Sequence, residues 1–117
     1  MIILTAALTA CQPKETTLTF IETTDTHGHF VEFANDAAFI KQMKAELGEN
    51  LILLDCGDNV QGSVYQYCSN HDDTNINLVA AIMNSIPYDA IAVGNHDIEA
   101  GKKVFDRLYS EATMPVL

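Results

Sequence analysis

Apolar and polar positions change rhythm several times along this chain, and each change marks an element. Thr17-Leu18-Thr19-Phe20-Ile21-Glu22-Thr23 alternates and is rich in β-branched residues, which predicts a strand. From Phe33 the apolar residues recur at Ala37, Ile40 and Leu47, with Met43 beside them. That spacing predicts a helix capped by Asn35 or Asp36 and stopped by Gly48. Leu51-Ile52-Leu53-Leu54 is an unbroken apolar run, the pattern of a strand buried on both faces. A polar, loop-like stretch follows from Gly57 to about Asp73. Ile76, Val79, Ala80, Met83 and Ile86 then predict a second helix, capped by Asp73 or Thr74. Asp89 to Val93 reads as a third strand, and Val104, Phe105, Leu108 and Tyr109 as one side of a third helix. The order β-α-β-α-β-α-(β) defines an α/β protein with right-handed crossovers onto a mostly parallel sheet flanked by helices.

The two ends read differently. Met1 to Ala10 is uncharged and apolar, too short for the roughly 20 residues of a membrane-spanning helix. Leu8-Thr9-Ala10-Cys11 closes that run and resembles a bacterial lipobox, although no Lys or Arg precedes it. Residues 1–16 are therefore expected to be signal and tether, with a lipid anchor at Cys11 and a place in the bacterial cell envelope, in the periplasm or at the outer surface. Met114 to Leu117 reads as the opening of a strand that stops, so residues 17–117 are expected to be the N-terminal part of a longer domain.

Charge narrows the function classes. Six Lys and Arg stand against 16 Asp and Glu, for a net charge of −10 over 117 residues, the opposite of what a nucleic-acid polymer requires of its binding face. A 48% hydrophobic content excludes a disordered acidic tail. Cys11, Cys56 and Cys68 form neither a disulfide framework nor a C-x-x-C pair. An enzyme of this composition that handles phosphate must take its positive charge from something other than its Lys and Arg.

Candidate chemistry sits directly behind the strands. Thr24-Asp25-Thr26-His27-Gly28-His29 follows the first, Asp55-Cys56-Gly57-Asp58-Asn59 the second, and Gly94-Asn95-His96-Asp97 the third. In an open α/β sheet the carboxyl ends of the strands are where ligands bind, so the clusters should meet along one rim. Asp25 and His27, two positions apart, can grip one cation; Asp58 can lie between two, and Asn95 adds an amide oxygen. Oxygen and nitrogen donors without thiolate suit Mn, Fe, Zn or Mg. Asp25, Asp55, Asp58, Asp97 and Glu99 should repel one another along this edge and raise some of their pKa values, whereas Lys14, Lys41, Lys44, Lys102, Lys103 and Arg107 lie in flanking or helical segments. Two divalent cations would offset that repulsion, and paired metals are an established device for phosphate-ester hydrolysis.

The three blocks, the second extended through Asn59-Val60-Gln61-Gly62, together resemble the first three motifs of the calcineurin-like metallophosphoesterases. The G-D-x-x-Q-G block is similar to the branch containing bacterial 5′-nucleotidases and 2′,3′-cyclic-nucleotide 2′-phosphodiesterases. The resemblance implies the N-terminal part of that family's sandwich fold and hydrolysis of nucleotide phosphate esters. It implies two divalent ions (Mn, Zn, Fe, Mg or Ca), with Asp25 and His27 on the first, Asp58 between both and Asn95 on the second. A hydroxide held by the metals would be the nucleophile. Asn95 and His96 would meet the substrate, His96 stabilising the transition state or protonating the leaving oxygen. A carboxylate three residues on orients that histidine in the nucleotidase branch; here it is Glu99, where Asp is more usual.

Other polar residues read more plainly. Asp55 should support the site through hydrogen bonds, His29 be a neighbour, and His71 a solvated loop residue. Cys56 and Cys68 read as ordinary thiols, and Met43 and Met83 as core. The family's later histidine blocks, one of them G-H-x-H, do not occur, which leaves the second metal only Asp58 and Asn95. The expectation is that these 117 residues alone are inactive and expose apolar sheet surface. Two alternatives remain: an anchored module that binds a metal or nucleotide without hydrolysis, and a metallophosphatase for another substrate.

Overall fold

Leu51–Asp55 (β2) is the middle of the three-stranded sheet, with a strand paired on each side. Thr19–Thr23 (β1) pairs with it in parallel, Thr19 opposite Leu51 and Thr23 opposite Asp55. Ala90–Ile91 (β3) pairs in parallel on the other side, with Ile91 opposite Asp55. Val116 then bridges in parallel to Ile91, so the expected fourth strand does open at the end of the chain. The computed structural model describes residues 15–117, and the lipobox-like segment at Leu8–Cys11 lies outside them. Among the described residues no helix is long and apolar enough to cross a membrane.

Helices fill the crossovers: Phe30–Leu47 (α1) between β1 and β2, Val64–His71 (α2) and Leu78–Asn84 (α3) between β2 and β3, then Asn95–Glu99 (α4) and Lys102–Glu111 (α5). Ile21, Leu53 and Ile91 of the sheet meet Phe33 and Ile40 of α1, Met83 of α3 and Leu108 of α5 in one core. Met83 is buried as expected, while Met43 is only half-buried.

That core covers one face of the sheet only. Leu51, Leu53 and Asp55 are buried, whereas Ile52 and Leu54 between them are half-exposed. Phe20, the register partner of Ile52, is 63% exposed, and Leu18 is also open. The expectation that 51–54 is covered on both faces is thus corrected for the described residues, whose buried core packs with Leu53 while Ile52 and Leu54 stay half-exposed. The expected uncovered apolar surface is present.

Several element boundaries differ from those the apolar pattern predicts. α1 begins at Phe30, not near Asn35 or Asp36, because Phe30 is itself the first member of the Phe30–Phe33–Ala37–Ile40 stripe. Asn35 and Asp36 are exposed within the helix. Gly48 ends it as expected, at φ 56° with its N–H on the Lys44 carbonyl. The stretch read as a loop from Gly57 to Asp73 contains α2, whose N-cap Ser63 accepts from Gln66 N at 3.2 Å. Its Val64, Tyr65 and Tyr67 are exposed, so no apolar stripe advertised it. α3 is capped by Asn77, whose side chain accepts from Val79 N at 2.9 Å, rather than by Asp73 or Thr74. β3 is shorter than the expected Asp89 to Val93; just ahead of it the Asp89 carboxylate accepts from Leu53 N at 2.7 Å, and Asp89 N donates to Leu53 O at 2.9 Å.

Candidate metal centre

All three polar clusters reach the same end of the sheet. The loop after β1 is stitched to the loop after β2 by Asp25 N on Gly57 O (3.0 Å) and His27 N on Asp58 O (3.2 Å). His27 Nδ1 lies 3.0 Å from Gln61 O, and the Thr26 hydroxyl donates to Asn59 Oδ1. The loop after β2 is joined to the turn after β3 by His96 N on Asp58 Oδ1, at 2.7 Å. Gly57, at φ 88°, sits so close to the turn that a Cβ there would overlap Gly94 N.

Side chains converge accordingly. His27, Asp58 and His96 each offer a ligand atom, all within 4.8 Å of one another. His27 Nε2 is 3.4 Å from Asp25 Oδ1, and the His27 and His96 rings meet edge-on with centroids 5.0 Å apart. His96 Nδ1 lies 2.8 Å from Glu99 Oε2, so the longer acid does reach the imidazole. A proton on Nδ1 shared with Glu99 leaves Nε2 for the rim. Asn95 is exposed at the first position of α4, next to His96 in the chain. Asp25 is joined to that group through His27.

Backbone conformation sets these residues apart. Asp25, His27 and Asp58 have φ of 52°, 44° and 62°, the left-handed region in which Asp, Asn and His are the side-chain types most often found. Holding such a conformation costs on the order of 1–3 kcal/mol per residue, and sites of this kind collect where function fixes the backbone.

Electrostatics differ from the sequence expectation at Asp25. Its carboxyl is held below the ordinary range by the hydrogen bond from Thr24 (2.6 Å) and by the neighbouring His27 and His96, not raised by its acidic neighbours. Burial pushes Asp55 up, against hydrogen bonds from Thr23 (2.5 Å), Gly57 N (2.9 Å) and Asn59 (2.6 Å), while Asp97 adds only a minor repulsion. Asp55 thus has the expected supporting position: its oxygens are spent on the loop. Lys44, Lys102, Lys103 and Arg107 pair with Asp89, Asp106, Asp73 and Glu111, all away from the rim.

Two supports went unread in the sequence. Asp97, counted among the repelling acids, is 1% exposed and accepts backbone N–H groups from Asp58, Asn59, Val60 and Gly94. Gln66, buried on the otherwise exposed α2, donates to Asn59 O beneath the same loop. Ser63-x-x-Gln66 is a capping-box spacing that could have revealed it. His29 stands exposed at the α1 cap, and His71 is exposed with its ring 4.2 Å from that of Tyr67. Cys56 is a free, exposed thiol at the edge of the site, donating to Glu22 at 3.1 Å.

The His27 imidazole and the Asp58 carboxylate meet at one point with the Asp25 carboxylate and the His96 ring beside them, and such nitrogen and oxygen donors fit a divalent cation of the borderline class. The fold is an α/β parallel sheet with its polar clusters gathered at the carboxyl ends of the strands, where ligands of such sheets bind. Residues 18–115 match the calcineurin-like phosphoesterase family, and the chain belongs to that family of hydrolases, which uses divalent metals. It is 30% identical over 118 residues to the snake venom 5′-nucleotidase of Naja atra, covering 86% of this chain and 21% of that protein. It is 35% identical over 95 residues to the trifunctional nucleotide phosphoesterase protein YfkN of Bacillus subtilis, covering 80% of this chain and 6% of that one. The crystal structure of the YfkN calcineurin-like phosphoesterase superposes with a TM-score of 0.73 at 24% identity, over 86% of this chain and 36% of that chain. The NAD nucleotidase of Haemophilus influenzae gives 0.73 at 21% identity, over 86% and 20%. The two structural likenesses establish the fold. The chain spans about a fifth or less of the length of the relatives it matches.

Proposed function

We propose that this chain forms the first half of the active site of a metal-dependent phosphoesterase acting on nucleotide phosphate esters, as a 5′-nucleotidase or a 2′,3′-cyclic-nucleotide phosphodiesterase. The observation that carries the reading is the convergence of His27, Asp58 and His96 within 4.8 Å, with His96 held at its far nitrogen by Glu99. Asp25, His27, Asp58 and Asn95 would hold two divalent ions, with Asp58 between them. Bound cations supply Lewis acidity toward phosphoryl oxygens and activate water. Every remaining task falls to side chains. Asn95 and His96 meet the phosphoryl group, and His96 Nε2 delivers a proton to the departing ribose oxygen. Glu99 keeps that ring in register and stabilises its charged form.

Asp58 and Asn95 alone give the second ion fewer donors than a transition metal usually takes. The reading therefore assigns the other donors, and the cover for the open sheet face around Phe20 and Leu54, to protein beyond residue 117. It also keeps Cys11 as a lipid anchor at the bacterial envelope.

The test is release of phosphate from a nucleoside 5′-monophosphate, and opening of a 2′,3′-cyclic nucleotide, by the protein expressed with all contiguous coding sequence. Turnover should need Mn(II) or a similar ion and vanish with a chelator. Asp58→Asn should lower kcat by about 10³-fold or more, the several kcal/mol a ligated cation contributes. His96→Ala should lower it by roughly 10²–10⁴-fold, the range for a general acid. Full activity in chelator, or in either variant, would overturn the reading.

A further inference from the structure

Asp97 combines features that a helix cap does not explain. Its Oδ2 accepts from Asp58 N and Gly94 N, both at 2.9 Å, and its Oδ1 accepts from Asn59 N at 2.8 Å and Val60 N at 3.0 Å. The Tyr109 hydroxyl stands 3.4 Å from Oδ2. Capping of α4 accounts for the Gly94 bond alone, and α4 has only five residues. The other three amides come from a different loop, 37 to 39 positions earlier in the chain. An ionised carboxylate has about four lone-pair sites, and here each meets a backbone N–H. Taking a carboxylate to 1% exposure is costly unless such charge-assisted bonds offset it.

We infer that Asp97 is a positioning residue whose carboxylate fixes the distance between the Asp58 loop and the Asn95–His96 turn, and with it the spacing of the groups that would hold and serve the metal ions. The inference rests on the metal-site reading above. The lacing runs both ways: Asp97 takes the amide of Asp58, while the carboxylate of Asp58 takes the amide of His96, at 2.7 Å. Neither loop can shift without breaking bonds in the other. An asparagine of the same size cannot replace this carboxylate, because its NH2 group would confront two backbone donors. A glutamate keeps both oxygens and the charge on a longer arm.

Two measurements on the intact protein decide the matter. The first is Mn(II) affinity by titration calorimetry, well below the melting midpoint of each variant. Asp97→Asn should weaken binding roughly 10–100-fold, as loss of a group that orients metal ligands does, and Asp97→Glu should recover part of that loss. Equal affinity in wild type and a folded Asp97→Asn variant would overturn the inference while leaving the metal site standing. No Mn(II) binding by wild type would instead overturn the metal-site reading. The second measurement is amide exchange in wild type, which needs no variant to fold. The amides of Asp58, Asn59, Val60 and Gly94 should exchange as slowly as those of β2, although all four lie outside helix and strand. Exchange at the rate of exposed loops would show that the carboxylate does not join them, and would overturn the inference whatever the metal result.

Discussion

Gly57 is a residue on which the rim turns tightly. Its φ of 88° and the contact of its Cα face with Gly94 N leave no space for a side chain. Gly57→Ala should cost roughly 2–5 kcal/mol, a left-handed penalty plus overpacking, read as a lower urea midpoint with an unchanged slope. Asp25, His27 and Asp58 share the left-handed conformation. Their identities as candidate donors were legible, because D-x-H, G-D and N-H-D each stand directly behind a strand. Asp55 was legible as a support, whereas Asp97 was harder to separate from the donors. In sequence it is an acid among acids, and only the structure shows its carboxylate turned inward onto backbone amides.

Among the elements, caps decide more than stripes. Asn77 is fully buried, accepts from Val79 N and donates to Asn70 Oδ1, each at 2.9 Å. Asn77→Ala should lower stability by about 2–3 kcal/mol, the cap plus a buried group left unpaired. Ser63→Ala, at the half-buried cap of α2, should cost about 1 kcal/mol in the same denaturation experiment. The turn before α3 is tied by Arg107, which donates to the carbonyls of Ser69, Asp72 and Asn75, and by the Asp72 carboxylate on Thr74 N at 2.9 Å. Bonds from Thr74 and Asn75 hold Asp72 at about 2, below the ordinary 3.8. A folded pKa below the unfolded one means stability that is present in full above about pH 4 and lost as the pH falls toward 2. Asp72→Ala should flatten that part of the acid-unfolding curve. The three long-range strands and the helix around Val104 and Leu108 were legible from period alone. α2 was not, since its single buried side chain is a glutamine.

At the scale of the whole molecule, the sheet is covered on one side by the described residues. Phe20, Ile52 and Leu54 share the open face, and a surface of that kind favours association. Phe20→Ser in the 117-residue chain should shift sedimentation toward monomer while leaving the unfolding free energy from urea denaturation within about 0.5 kcal/mol. Unchanged self-association would show that this face is not what drives it. The one-sided cover was partly legible: Leu51 to Leu54 reads as a strand wanted on both faces, yet only the helices that supply the first face lie within reach of these residues.

β1, β2, β3 and the Val116 bridge succeed one another in chain order without a reversal. A ribosome therefore delivers each strand beside the one it has just released, and domains do fold during synthesis. A nascent chain halted before residue 97 already carries the 24–29 and 57–63 loops but no acceptor for the amides of Asp58, Asn59 and Val60. The rim acquires its final shape only when the third strand and its turn emerge, which makes translation order part of how the site is assembled.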